Sequence, residues 1–398
     1  MASEPARPVS PLRWSRSSLL WRAVSGLSVL VACAGCATAA PFSAEVAAIQ
    51  RADPFSVRVS GNHLVDGRGK PLRLRGVNRS GGEYACVSPP EERLSTFAGP
   101  TGRRAIAAMT AWRINAVRLP LNENCWLGIN GVPRRYSSAH YRKAVTGFVA
   151  RLHKAGLYVV LDLHWSAPGT TRAIGQTEMA DFDHAPRFWS SVAKTFKSNP
   201  AVMFDVYSEP HSISWECWRN GCRMPEGWFA AGMQTLIDAV RMTGARQPII
   251  VTGKEWGTDL SSWLKHRPHD PVKQLVAGVH VYDFTACGSP SCWTRTFEPV
   301  ARSVPVVASE VGEKACSGDF MGQFLDWADA RGMSYLGWGW NPAGCEAPSL
   351  IRSWDGLPTP PGARLRAHLR RDARTERQLP KRPGPRHSGA GPAAAASP

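Results

Sequence analysis

The stretch "AVTGFVARLHKAGLYVVLDLHW", residues 144–165, decides the fold. Val145, Phe148, Val149 and Leu152 recur at three- and four-residue spacing, so 139–155 reads as a helix with a single apolar stripe. Gly156 follows as a stop signal. The next run, 158–165, is almost continuously apolar rather than alternating, as in a parallel strand buried on both faces. It closes on His164 and Trp165. A helix feeding a buried strand that ends in polar-tipped side chains is the unit of an α/β fold.

The unit recurs. Strand-like runs fall at 72–78, 115–121, 158–165, 202–208, 248–253, 275–283, 305–310 and 333–340, with helical patterns between them. Another clear helix is 226–243, with Phe229, Met233, Leu236, Ile237 and Val240 on one face and Gly244 after it. Eight β-then-α units in one domain, 41–370, fit a single (β/α)8 TIM barrel, whose closure leaves no sheet edge exposed. An open doubly wound sheet fits less well, because no glycine-rich phosphate loop follows the first strand. Upstream, "FSVRVSGNHLVDGRGKPLRLRGVN" (55–78) reads as a short β-hairpin around the Asp66–Gly69 turn, leading into the first strand.

The 398 residues carry a formal charge of +17, and its location matters. Residues 1–40 hold +3, residues 364–398 hold +7, and the more than 300 between share the remaining +7 without a basic block. Solvated or wall-adhering termini explain this better than a nucleic-acid groove. Residues 371–398, rich in Pro, Ala, Gly and Arg, lack the apolar side chains to offset their ordering entropy and read as a disordered basic tail. Residues 1–40 read as an export signal: arginines, a short apolar run, and an Ala37-x-Ala39 cleavage site. "LVAC" (30–33) offers the alternative of a lipoprotein signal, with membrane attachment through a lipidated Cys33. Eight cysteines remain, an even number in an exported chain. The expected pairs are 217–222 and 287–292 within loops and 86–125 and 316–345 between loops. The two C-x4-C pairs lack an accompanying His cluster, so no metal is expected.

Barrel chemistry sits at the C-terminal strand ends. There the sequence places Asn78, Arg118, His164 with Trp165, Ser208-Glu209-Pro210, Glu255-Trp256, His280 with Tyr282, Glu310, and Trp338 with Trp340. Glu209 and Glu310, on strands four and seven, would face each other across the mouth. A protonated acid for the leaving oxygen and a carboxylate for the anomeric carbon are what sugar-acetal hydrolysis needs. Glu123, Glu178, Glu255 and Glu313 read as solvent-facing.

In order along the chain, "LVDGRGKPLRLRGVN", "INAVRLP", "LYVVLDLHW", "VYSEP", "GVHVYDF", "VVASEVGE" and "YLGWGWNP" resemble the family 5 glycoside hydrolases, the cellulase and endoglucanase family, over roughly 55–365. The resemblance implies a secreted, cofactor-free, monomeric retaining β-1,4-glucanase that acts on a polysaccharide or oligosaccharide. It implies Glu209 as acid/base and Glu310 as nucleophile, with Arg118 and Tyr282 orienting Glu310 and His280 beside Glu209. His164 and Trp165 would contact substrate, and Trp338 would stack beneath the sugar, with Trp340 the alternative if the register differs by two. One position departs from the family pattern: Ser208 stands where an Asn amide is expected to bond the sugar 2-hydroxyl. The breadth of the family leaves open a related β-glycanase or exo-glucosidase activity on mannan, another β-glucan or a glycolipid, and Ser208 leaves open a glycan-binding barrel of low activity.

Overall fold

The computed structural model describes residues 53–378 except 89, 91 and 92, with side chains placed through Arg371. Eight parallel strands close into a barrel in chain order: β1 (Arg75–Asn78), β2 (Ala116–Asn122), β3 (Tyr158–Trp165), β4 (Val202–Asp205), β5 (Ile249–Thr252), β6 (Leu275–Tyr282), β7 (Val306–Gly312) and β8 (Ser334–Gly337). The TIM-barrel expectation holds in strand number, order and direction. Each strand falls within or close to its expected run.

Pleat alternation sorts the strands' side chains. Val159, Leu161, Val202, Phe204, Ile249, Val251 and Ala277 belong to the large core under the helices. Val160, Met203, Ile250, Val276, Val307 and Leu336 form a second, apolar layer, which is joined by Val57 and Leu64 of the N-terminal hairpin. The hairpin thus contributes to packing with this layer. Its strands, Val57–Ser60 and His63–Asp66, reverse at Gly61–Asn62, not at the Asp66–Gly69 turn expected from sequence. The latter makes the next reversal, where Asp66 Oδ1 accepts the Arg68 and Lys70 amides and Leu72 N–H bonds Leu64 O at 2.8 Å.

Three expectations are corrected. No helix follows β5 among the described residues; residues 253–274 instead run through turns punctuated by Gly253, Gly257, Pro268 and Pro271. Leu260 and Trp263 fill the core there, and Trp263 Nε1 donates to Val251 O at 2.9 Å. The helix expected over 226–243 begins only at Met233. Phe229 lies in a two-residue strand paired with Cys222–Arg223, and a Cβ on Gly232 would strike the Gly221 backbone at 2.2 Å, so the chain turns there before the helix starts. The last helix, Pro360–Gln378, carries beyond the compositional boundary at 371. Leu365 and Leu369 anchor it, and its Arg, Ala and Glu residues are good helix formers.

All four expected disulfides are present: 86–125, 217–222, 287–292 and 316–345. All eight of these cysteines lie in segments that follow a strand, on the C-terminal face of the barrel. The export signal with Cys33, and residues 379–398 of the basic tail, lie outside the described residues.

Candidate active site

Two residues beyond the apolar layer, the same alternation points Arg118, Asp162 and Asp205 into the barrel, joined by Asn78; all four are fully buried. Arg118 is the hub. Its Nε donates to Asp205 Oδ2 at 3.0 Å, its Nη1 to Asn78 Oδ1 at 3.0 Å and to Glu310 Oε1 at 2.6 Å, and its Nη2 to Ser208 Oγ at 2.9 Å. Nη2 also lies 3.0 Å from Asp162 Oδ1, an ion pair without hydrogen-bond alignment. Burial opposes the Arg118 charge, but the Asp162, Asp205 and Glu310 carboxylates outweigh it and hold the guanidinium protonated.

Glu310 owes its aim to a bulge. The β6–β7 register slips after Val279/Ala308, so His280 pairs with Glu310 rather than Ser309. Glu310 Oε2 accepts from the Tyr282 hydroxyl and lies 3.5 Å from His280 Nδ1. Burial and the Glu310 charge push Tyr282 well above the usual phenol range, so it remains a neutral donor.

Glu209 has different surroundings. Its Oε1 is 2.9 Å from His280 Nδ1, and its Oε2 accepts from Gln176 Nε2 at 2.9 Å. Burial raises its carboxyl against the pull of His164 and Arg118, which favours the protonated acid. Burial, seconded by Arg118, lowers His280 to about 4, so that its ring is neutral near pH 7. His164 goes the other way: burial notwithstanding, Asp162, 2.7 Å from Nδ1, raises it to about 9. The resulting imidazolium stacks on Trp338, centroids 5.3 Å apart and planes 9° from parallel. One oxygen of each glutamate and His280 Nδ1 lie within 4.8 Å of one another. These groups open into a cleft of about 550 Å³ whose walls include Trp256 and Phe284.

The structure therefore brings together Arg118, His164, Ser208, Glu209, His280, Tyr282, Glu310 and Trp338. It resolves the strand-eight alternatives: Trp338 lines the cleft, while Trp340 is fully buried edge-on against Trp112. Trp165 is not brought in. The β2–β3 register shifts at Asn122/Trp165, and the indole packs on the core near Tyr84. Glu123 and Glu313, expected in solvent, are fully buried. Glu313 accepts the Gly318 and Met321 amides at the start of helix Asp319–Asp329, satisfying donors that the helix cannot.

Sequence reasoning missed Asp162, Asp205 and Gln176. The two aspartates had a signal, as lone charges inside the apolar runs "VVLDL" and "VMFDV", in phase with the inward-facing side. Gln176 had none, because only the path of a loop brings it to Glu209.

A family model for cellulase (glycosyl hydrolase family 5) matches residues 65–344. Endoglucanase E-5 of Thermobifida fusca is 22% identical over 72% of this chain, which spans 55% of that enzyme's length. A mannan endo-1,4-β-mannosidase of Streptomyces lividans is 22% identical over 86% of this chain and 80% of its own. Among solved structures, a Saccharophagus degradans β-glucanase in complex with cellotetraose superimposes with a TM-score of 0.61 at 19% identity, over 80% of this chain and 93% of that one. The catalytic domain of the major endoglucanase of Xanthomonas campestris gives 0.61 at 20% identity, over 79% and 99%. With the barrel, the facing glutamates and this match across most of its length, the chain belongs to the cellulase family, glycosyl hydrolase family 5, and is a glycoside hydrolase.

Proposed function

We propose that the protein is a secreted, retaining endo-β-1,4-glucanase. Glu310 attacks the anomeric carbon as the glycosidic C–O bond breaks, and Glu209 gives its proton to the departing oxygen. Glu209, now a carboxylate, takes a proton from water; that water attacks the glycosyl ester and releases Glu310. The observation that carries this reading is the carboxylate pair, with oxygens within 4.8 Å and opposed surroundings. Retaining enzymes separate these groups by about 5 Å, whereas inverting ones leave roughly 6.5–9.5 Å for a water. Four disulfides support an oxidising, extracellular destination. Glucan is favoured over mannan by the endoglucanases among the relatives.

The test is product stereochemistry by proton NMR on a panel of carboxymethylcellulose, lichenan, mannan and xyloglucan. The β anomer is expected first, with the glucans turned over fastest. An initial α anomer would sink the retaining mechanism, and faster mannan turnover would move the substrate assignment. The alkaline limb of kcat/KM reports loss of the Glu209 proton. Because burial raises that carboxyl, the limb is expected above the ordinary carboxylic-acid range.

Ser208 supports an enzyme rather than a retired barrel. Its hydroxyl is fully buried and accepts from Arg118 Nη2. Ser208→Ala leaves that donor unmet and is expected to cost about 1–3 kcal/mol of stability. Ser208→Asn crowds a fully buried position at a similar cost. Neither should raise kcat, and a faster Asn variant would show serine to be a damaged contact.

A further inference from the structure

Gln176 comes from the loop between β3 and the helix Ala185–Phe196, and two bonds aim it. The Tyr207 hydroxyl donates to Thr177 O at 2.6 Å, and His211 N–H donates to Glu178 O at 3.0 Å. Tyr207 and His211 lie two residues either side of Glu209. The backbone just after Gln176 is therefore stitched to the Glu209 segment on both flanks, so the amide keeps its place relative to that carboxyl. The side chain adds little to the loop itself. Its Nε2 donates to Glu209 Oε2 at 2.9 Å and lies 3.5 Å from His164 Nε2, while its buried Oε1 has no hydrogen-bond partner. A glutamine that braced a loop would use both ends of its amide; this one spends its single strong bond on the proton donor.

Building on the assignment of Glu209 as acid/base, we infer that Gln176 is a positioning residue for it. Between His280 on Oε1 and Gln176 on Oε2, the Glu209 carboxyl is gripped at both oxygens and cannot rotate away from the glycosidic oxygen. The amide N–H also favours the carboxylate left after proton transfer, the form that activates water in the second step. No other described residue hydrogen-bonds this oxygen. The loop after β3 therefore governs how readily Glu209 gives up and regains its proton.

Two signatures separate positioning from bracing. Gln176→Leu removes the grip and leaves the two backbone bonds in place, so melting temperature should hardly change. An N–H bond to a carboxylate corresponds to about one pH unit, so the alkaline limb of kcat/KM should move up by roughly that amount. In kcat/KM, which reports the glycosylation step alone, the variant should lose about tenfold on cellotetraose, whose sugar leaving group needs the proton, and stay within about twofold on 2,4-dinitrophenyl cellobioside, whose leaving group does not. Gln176→Glu, nearly isosteric, places a second carboxyl against Glu209 and should move the limb further up still. Equal losses on both substrates with an unmoved limb, or a loss that tracks a falling melting temperature, overturn the inference. If the wild type released no sugar from either substrate, the glycosidase reading itself would fail. Wild-type turnover of both, lost in Glu310→Gln and unaltered in Gln176→Leu, would defeat only the role of Gln176.

Discussion

Glu310→Gln is expected to lower kcat/KM by about 10⁴-fold or more, the scale on which loss of a nucleophile is felt. The barrel should survive. Glutamine keeps the shape of glutamate, and its amide oxygen can still accept from Arg118 Nη1, now 2.6 Å from Glu310 Oε1. A melting temperature close to that of the wild type, with activity nearly gone, would separate chemistry from folding. In Glu310→Ala, added azide should restore part of the turnover by attacking the anomeric carbon from the emptied side, yielding an α-glycosyl azide. Residual activity within about tenfold of wild type in Glu310→Gln would remove Glu310 from the chemistry.

Arg118→Met is expected to have the largest effect on stability. It leaves Asp162, Asp205 and Glu310 near one another in a buried layer without their shared counter-charge. Removing one member of a buried ion cluster costs about 3–5 kcal/mol. The variant's carboxyls are then raised in the folded state, so proton uptake relieves the repulsion and the deficit should shrink as pH falls from 7 towards 4.5. Thermal melts of both proteins at the two pH values measure this. A deficit that grows on acidification, or none at pH 7, would contradict the arrangement. Activity should fall on the order of 10³-fold, because Glu310 loses its guanidinium donor.

Much of the barrel was legible because parallel strands buried on both faces write themselves as apolar runs, and polar residues at their ends stand out. Glu209, Glu310, Arg118, His164, His280 and Tyr282 were visible in this way. Asp162 and Asp205 were hidden by standing inside the runs, where a charge reads as an interruption until its partner is known. Trp165 misled because a register shift at the end of β3 turns it toward the core. The helix start at Met233 was obscured by apolar residues with helical spacing whose backbone is held otherwise by a loop crossing between Gly221 and Gly232. Gln176 was out of reach: its position depends on tertiary bonds from Thr177 and Glu178 to residues some thirty places away.

The distribution of disulfides divides the molecule into parts with separate duties. Two of the staples, 217–222 and 287–292, each close a span of only five residues and add little to global stability by restricting the unfolded chain. What they fix is the outline of the rim, while the strands beneath are held by their ladders, their packing and the buried Arg118 hub. Each stapled segment is rooted in the barrel, since Trp218 and Trp293 are fully buried in the core and Trp218 Nε1 donates to Thr252 O at 2.9 Å. Changes at Phe284, Thr285 and Ala286, which line the cleft just ahead of the 287–292 staple, should retune which glycan fits and leave the Arg118 hub untouched, so recognition can evolve without reopening the problem of folding.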